Sequence, residues 1–302
     1  MEKISLDLSL IIPAYNEEKI IAEVIKEINS ILASQDLSYE ILVVDDGSDD
    51  RTAEEAASAG ARVISHPDNI GNGASIKTGI RNARGKLLLM MDADGQHPPE
   101  MIPVMLEEIG KYDMVVGARK KGSDTDFHRD LGNLVYNALA SYVTGRKIED
   151  LTSGFRMIRS EIARKFIYLL PNTFSYPSTI TLAVLRSGGS LRYVPIESKR
   201  RVGKSKIKII QDGMRFLTII LRVTAYYSPL KIFIPVSILM FLTGFGYGLI
   251  KVLFLNTRYG PTSAMLMTVS VVIFLVGLVS EQIAQLMYIW SENRLGNETN
   301  QE

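Results

Sequence analysis

The sequence contains no cysteine, which excludes a disulfide framework, a thiolate metal site and a cysteine nucleophile. The absence is compatible with either redox environment, so it is silent on compartment. Net charge is almost absent as well. Thirty-four Lys and Arg stand against 33 Asp and Glu, and the balance of +1 argues against a nucleic-acid partner. No signal peptide is legible, because Met1–Asp7 is charged and the apolar run Leu8–Ile12 is too short. The N-terminal part is therefore expected to stay in the cytosol. There is no internal repeat and no long linker. What remains is 302 residues, 46% hydrophobic and 22% charged, which excludes a disordered chain or a low-complexity fibre. That length suits one α/β domain of about 200 residues with something appended.

The near-zero total hides a segregation of charge. Residues 186–231 hold eleven Lys and Arg against Glu197 and Asp212, a net +9, so the rest of the chain carries −8. Upstream, from Leu8 to about Ile196, short apolar runs alternate with helical stretches. Leu8–Ile12, Glu40–Val44, Ala61–Ser65, Lys86–Met91 and Met114–Val116 read as buried strands. Helices are expected at about 17–33, 50–59, 73–84 and 98–110. Such alternation implies right-handed βαβ units, hence an α/β fold with a Rossmann-like, mostly parallel sheet flanked by helices. Ligands of these sheets bind at the carboxyl ends of the strands.

The C-terminal third differs. Nineteen uncharged residues lie between Lys231 and Lys251, about 28 Å as a helix, and twenty-two more run from Tyr259 to Ser280. Two buried core helices are the alternative, but a core helix usually shows a polar stripe and these do not, so two transmembrane helices are expected. Gly244, Gly246, Gly248 and Gly277 would allow them to pack closely, and Pro235 is tolerable there. Nine basic residues, Lys199 through Lys231, precede the first span, whereas the connecting loop has only Lys251 and Arg258. This bias places the large domain in the cytoplasm, with the spans forming a hairpin. Lys208, Asp212, Arg215 and Arg222 recur at helical spacing opposite Ile210, Met214, Leu217 and Leu221, as in an interfacial amphipathic helix on anionic headgroups. A solvated face of an ordinary helix is the other reading. The expected organisation is an α/β domain over 1–204, a juxtamembrane segment over 205–228, a hairpin over 229–290 and a polar tail over 291–302. A homo-oligomer is compatible with it.

Chemistry concentrates after the strands. Asp92 and Asp94 follow the run Leu87–Met91, and two carboxylates so close call for a cation. Mg²⁺ or Mn²⁺ bridging a diphosphate would satisfy them, with Gln96 as a neutral oxygen ligand. Asp-x-Asp alone is also a common turn former. Pro13-Ala14-Tyr15-Asn16-Glu17 leaves the first strand and Asp45-Asp46-Gly47-Ser48 the second. These are either two tight loops or a nucleotide site, in which Tyr15 stacks on a base and the carboxylates accept from base N–H groups and ribose hydroxyls. Glu17 and Asp49 are alternatively helix caps. Asn69–Gly73 lacks a phosphate-loop pattern and reads as a helix start.

These two motifs, with Asp92-Ala93-Asp94-Gly95-Gln96 and Thr152-Ser153-Gly154-Phe155-Arg156 in this order, resemble the family 2 glycosyltransferases of the GT-A fold. The chain is most similar to their dolichol-phosphate mannose synthase and bacterial polyprenyl-phosphate branch, over about residues 7–210. The resemblance implies a metal-dependent transferase. Pro13, Tyr15, Asn16, Glu17, Asp45, Asp46, Asp92 and Ala93 would then bind the nucleotide sugar. Asp94 and Gln96, with Asp92, would hold Mg²⁺ or Mn²⁺. Arg200-Arg201-Val202-Gly203-Lys204-Ser205-Lys206 resembles that branch's Arg-x-x-Gly-x-Ser-Lys signature, which puts Arg200 and Lys206 near phosphates. A guanidinium fork and an ammonium on a glycine-containing loop suit that task, although both charges would also suit a membrane surface. Arg119 and Arg129 resemble the arginines that hold the acceptor phosphate, with Ser153 beside them. Asn133 stands where the mannose synthases carry serine, and His128 reads as a loop residue.

The implied reaction moves a sugar from a nucleotide sugar, of the GDP-mannose or UDP-glucose type, to a dolichyl or undecaprenyl phosphate with inversion. An acceptor that is a lipid-linked saccharide or another hydroxyl is an alternative, and it needs a general base that the sequence does not identify. A noncatalytic sugar-nucleotide-binding membrane protein is a third reading, and it predicts gaps in the phosphate or metal set. Truncation after residue 206 should release a soluble domain that still binds nucleotide. Retention of that fragment on membranes after high salt and mild detergent would place the main anchor outside the hairpin.

Overall fold

The computed structural model describes residues 6–119, 127–172, 176–197 and 228–299. The chain divides into two units, one ending at Phe216 and one beginning at Leu217. The basic segment with Arg200, Lys206 and the expected interfacial helix lies outside the described residues.

The first unit is built on a seven-stranded sheet in the order β3-β2-β1-β4-β6-β5-β7. Its strands are β1 (Leu6–Ala14), β2 (Tyr39–Asp45), β3 (Arg62–Ser65), β4 (Gly85–Met90), β5 (Met114–Arg119), β6 (Arg156–Arg159) and β7 (Leu191–Ile196). Every pairing is parallel except the two made by β6, which is antiparallel to both β4 and β5. The five strands expected from apolar runs are all present, and β6 and β7 are additional. β6 escapes pattern reading because it is four residues long and begins and ends on arginine. Pro195 is accommodated in β7, which lies at the edge of the sheet.

Helices cover both faces because β1 buries alternate residues on both. Leu8, Leu10 and Ile12 join α1 (Ile21–Leu32) and α4 (Ile102–Ile109) in one core. On α1, Ile21, Val24, Ile25, Ile28 and Leu32 are buried, the 3.6-residue period of an amphipathic helix. On the opposite face α3 (Asn72–Asn82) lies against β1, with Gly79 directly over Ile11. The helix start expected at Asn69–Gly73 is where α3 begins. At the start of α2 (Thr52–Ser58), Asp50 Oδ1 accepts from Thr52 N at 2.9 Å. Three helices come from stretches without a clear pattern: α5 (Phe127–Thr144), α6 (Ser160–Phe166) and α7 (Tyr176–Arg186). α7 is buried almost throughout, including Ser178, Thr179 and Thr181, so it shows no apolar stripe. His128, expected in a loop, lies on the first turn of α5.

The second unit is a pair of antiparallel helices, α8 (Leu230–Leu253) and α9 (Pro261–Thr299). Gly244 meets Leu266 and Ser263, and Gly277 meets Phe233, so these two glycines do sit at the helix contact. Gly248 faces Tyr259. A Cβ at Gly246, expected to join them, would meet nothing within 4 Å among the described residues of the partner helix, because two residues along a helix rotate a position to the other side. Leu239, Leu253 and Val279 are at least 60% exposed, as are Met265 and Leu286, and both helices are long and apolar enough to cross a bilayer. α9 continues to Thr299, so most of the segment expected as a polar tail is helical.

Gly79→Ala tests the packing of α3 on β1. A methyl there overlaps Ile11 Cγ2 in a fully buried site, and such overpacking costs about 1–3 kcal/mol. Alanine returns about 1 kcal/mol of helix propensity, so a net loss is expected. Thermal unfolding of the full chain in detergent should show a lower melting temperature, and an unchanged or raised one would mean that α3 stands off the strand.

Candidate active site

The loops after β1, β2 and β4 leave neighbouring strands at one edge of the sheet, the edge where a doubly wound fold binds ligands. The first two loops latch onto each other. Asn16 N donates to Ser48 Oγ at 2.9 Å, and Asp49 N donates to Asn16 Oδ1 at 3.0 Å. Glu17 N donates to Thr52 Oγ1 at 2.8 Å, and Asp46 N donates to Ala14 O at 2.8 Å. Asn16 adopts φ 56°, a left-handed conformation that asparagine tolerates better than most residues. The latch raises the Tyr15 ring to 44% exposure at the loop tip, while Pro13 is buried at the end of β1.

Asp45 and Asp46 are both 4% exposed. Asp45 Oδ1 accepts from Ser48 N at 3.2 Å, which closes the turn. Gly47, at φ 71°, is required in that turn, since a Cβ would lie 2.7 Å from the Asp68 carbonyl carbon. Asp46 accepts from Ile70 N at 3.1 Å and Gly71 N at 2.7 Å, and pairs with His66 Nδ1 at 2.8 Å. Burial alone would raise its pKa, but the His66 contact and the two backbone N–H groups outweigh that and hold it below the usual carboxylate range. Asp46 therefore ties the β2 loop to the start of α3. His66, which pattern reading passed over, also bonds Thr78 through Nε2 at 2.9 Å.

The β4 loop carries Asp92, Asp94 and Gln96, all partly exposed, whereas the Ala93 methyl is core. Asp94 Oδ1 accepts from Gln96 N at 3.1 Å, and Gly95 turns the chain at φ 70°. Among the described residues no three His, Asp or Glu side chains converge into a metal cage. Two carboxylates and an amide in one partly exposed loop are all oxygen donors, and this fits a hard cation that completes its shell from water and phosphate.

β6 brings a fourth segment to this edge. Being antiparallel, it starts where β4 and β5 end: Arg156 is in register with Met90 and with Val116, and Gly117 N donates to Phe155 O at 2.9 Å. The residues before it are organised by Asp150, whose Oδ1 accepts from Thr152 N, Thr152 Oγ1 and Ser153 N, each at 3.1 Å. Asp150 also forms a bidentate pair with Arg119, Nε to Oδ2 at 2.8 Å and Nη2 to Oδ1 at 3.0 Å. Arg119 Nη2 further donates to Thr152 Oγ1 at 2.6 Å. The guanidinium assigned to the acceptor phosphate thus has a carboxylate partner 31 residues away that no local pattern reveals. Ser153 is 3% exposed, and its Oγ accepts from Phe155 N at 3.3 Å. Arg156 is fully buried and donates to Ser153 O, Pro177 O and Thr181 Oγ1. Burial lowers its pKa, with Asp150 and Asp92 acting in opposition. Arg129 and Asn133 fall four residues apart on α5, one turn of the same helix face. Arg200 and Lys206 lie outside the described residues.

Residues 9–167 match the Glycosyl transferase family 2 model, and residues 228–286 match that of the GtrB C-terminal hairpin. The chain belongs to glycosyl transferase family 2. An undecaprenyl-phosphate 4-deoxy-4-formamido-L-arabinose transferase from Edwardsiella ictaluri is 30% identical, covering 92% of this glycosyl transferase and 89% of the relative. The dolichol-phosphate mannosyltransferase of Pyrococcus furiosus is 34% identical, covering 67% of this chain and 60% of its own. In fold, the first unit is similar to glucosyl-3-phosphoglycerate synthase from Mycobacterium tuberculosis, solved with Mn²⁺, UDP and glucosyl-3-phosphoglycerate. The TM-score is 0.60 at 20% identity, over 73% of this chain and 81% of that one. The GT-A architecture expected of the glycosyl transferase is thereby established.

Asp150 gives a pH prediction. Burial raises its pKa, but the hydrogen bonds and charge of Arg119 lower it more, so the folded value lies below the unfolded one. The stabilisation is present above the unfolded value of about 3.9 and is lost as pH falls through the depressed folded value. Asp150→Asn removes the carboxylate charge facing Arg119, a partly exposed guanidinium that keeps its bond to Thr152, and should lower stability at neutral pH. Its loss should shrink towards pH 2.5. Melting curves of both proteins between pH 2.5 and 7 check this, and parallel curves would mean that the pair contributes no charge-dependent stability.

Proposed function

We propose that this glycosyl transferase moves a sugar from a nucleotide sugar to a polyprenyl phosphate at the cytoplasmic face of a membrane. The observation that carries the reading is the gathering of the β1, β2 and β4 loops with the Thr152–Arg156 segment at one sheet edge, in a chain that ends in an apolar helical hairpin. Relatives whose names specify undecaprenyl-phosphate and dolichol-phosphate transfer support the acceptor class. The basic stretch before the hairpin supports the cytoplasmic orientation, since Lys and Arg are retained on that side.

In this reading Tyr15 stacks on the base, and the carboxylates after β1 and β2 meet the base and ribose. Asp92, Asp94 and Gln96 hold Mg²⁺ or Mn²⁺, which when bound neutralises charge on the departing diphosphate. Arg200 and Lys206 add positive charge to the same diphosphate. A lipid phosphate is already anionic at neutral pH, so it attacks the anomeric carbon without a general base. The enzyme's task is then electrostatic: Arg129 and Arg119, with Asn133 and Ser153, orient the attacking phosphate against an anionic donor. Arg119 enters this with its Nε and Nη2 donating to Asp150, a preorganised fork rather than a mobile chain. A single displacement inverts the anomeric centre, so an α-linked donor yields a β-linked lipid product.

The test is a transfer assay with purified full-length protein, several nucleotide sugars and polyprenyl phosphate, with identification of the lipid product and its anomer. Asp94→Asn should abolish transfer with the fold intact, since it removes an anionic ligand at nearly constant volume. Arg129→Ala should weaken use of the lipid far more than calorimetric binding of the nucleotide sugar, by a contact of about 1.5–3 kcal/mol. Equal losses in both would move Arg129 to the donor site, and full activity of Asp94→Asn would remove its metal role.

A further inference from the structure

His97 is the one histidine on the β4 loop, and its ring is committed to Asp92 in two ways. Its Nδ1 accepts from the backbone N–H of Asp92 at 3.1 Å, and its Nε2 lies 3.8 Å from Asp92 Oδ2. Because Nδ1 spends its lone pair on that N–H, the neutral ring carries its proton on Nε2, the nitrogen facing the carboxylate. The ring side chain is 9% exposed, against 35% for Asp92. It is stacked on Phe155 with centroids 5.3 Å apart and planes 20° from parallel. Pro98 and Pro99, both buried, stiffen the chain directly after it. Asp92 is confined on another side by Gly154, where a Cβ would stand 2.6 Å from Oδ2.

We propose that His97 is a positioning residue that fixes the Asp92 carboxylate for the donor's diphosphate and its cation. The proposal rests on the donor-site reading above. The separation of 3.8 Å exceeds a hydrogen bond, so the Nε2–H orients the carboxylate electrostatically without occupying an oxygen that a cation needs. Holding the backbone N–H of the same residue fixes where the side chain starts, and the Phe155 stack prevents the ring from turning away. Two like charges on one short loop gain from such support. Without it, Asp92 can rotate away from Asp94 and lower the repulsion at the expense of the site.

The experiment titrates Mn²⁺ into full-length protein in detergent, with UDP or GDP present, and follows free Mn²⁺ by electron paramagnetic resonance. His97→Phe keeps the aromatic stack and loses both polar contacts, and it should weaken Mn²⁺ binding roughly 10- to 100-fold. His97→Asn keeps an acceptor near the position of Nδ1 and should fall between Phe and wild type, which also guards against a folding failure in the Phe variant. Excess Mn²⁺ should restore most of the turnover of His97→Asn, a rescue that a merely destabilised protein would not show. Wild-type titrations for both variants, beside a weakened Asp92→Asn control, would overturn the proposal. Losses that excess Mn²⁺ leaves uncorrected would assign His97 a purely structural role and would also overturn it. A wild-type titration for Asp92→Asn would instead remove Asp92 from the donor site, and the proposal with it.

Discussion

β6 runs antiparallel between β4 and β5, and that reversal is what brings Asp150, Ser153 and Gly154 to the edge where the β1, β2 and β4 loops meet. In a purely parallel sheet, the segment before a strand enters at the amino edge, far from the ligand. Here the segment before β6 enters at the carboxyl edge, so Asp150, Ser153 and Gly154 lie beside residues that follow β4 and β5. The reversal is anchored by a charge in the interior. Arg156 is 0% exposed and satisfies its guanidinium with two carbonyls and a hydroxyl, which binds the start of β6 to α7. An isolated buried guanidinium would be prohibitive, so those acceptors are a condition of the fold.

Two electrostatic arrangements then sit side by side with different purposes. Asp150 and Arg119 form a closed pair whose carboxylate also gathers the backbone N–H groups of Thr152 and Ser153, so it shapes a loop and orients a guanidinium together. Asp92 and Asp94 are instead two like charges on one partly exposed loop. The closed pair is stable in the folded chain alone. In the donor-site reading proposed above, a cation on the diphosphate would relieve the repulsion between these two carboxylates. Asp45 and Asp46 belong to neither class: both are buried, and they hold the turn after β2 and its tie to the start of α3.

The second unit follows a different rule. Its helices pack through Gly244 and Gly277 and leave large apolar side chains outward, the inverse of the first unit, where apolar residues face in. Small residues at the contact and large ones outside are expected where the surroundings are hydrocarbon, since no hydrophobic force then drives the helices together. At the base of the pair, Leu230 N donates to Glu281 at 3.4 Å, a carboxylate set at the free N–H groups of α8.

The sequence by itself determined the α/β class, the strands β1 to β5, the two apolar helices and the loops that carry Tyr15, Asp46, Asp92 and Asp94. Those features are local: a strand buried on both faces is an apolar run, a bilayer span is a longer one, and turn residues mark what lies between. Tertiary structure alone decided the antiparallel β6, the buried α7, the partnership of Arg119 with Asp150, and the contacts of His66 with Asp46 and His97 with Asp92. β6 has only Met157 and Ile158 between its arginines, and α7 is covered on all sides, so neither shows a period to read. His97 lies five residues from its partner, yet its role needed the fold, because Phe155 stacks on its ring and Gly154 meets Asp92 from the segment before β6. Periodicity records which face of an element is buried. Which charge meets which depends on how strands are ordered, and that order arises only when the elements pack.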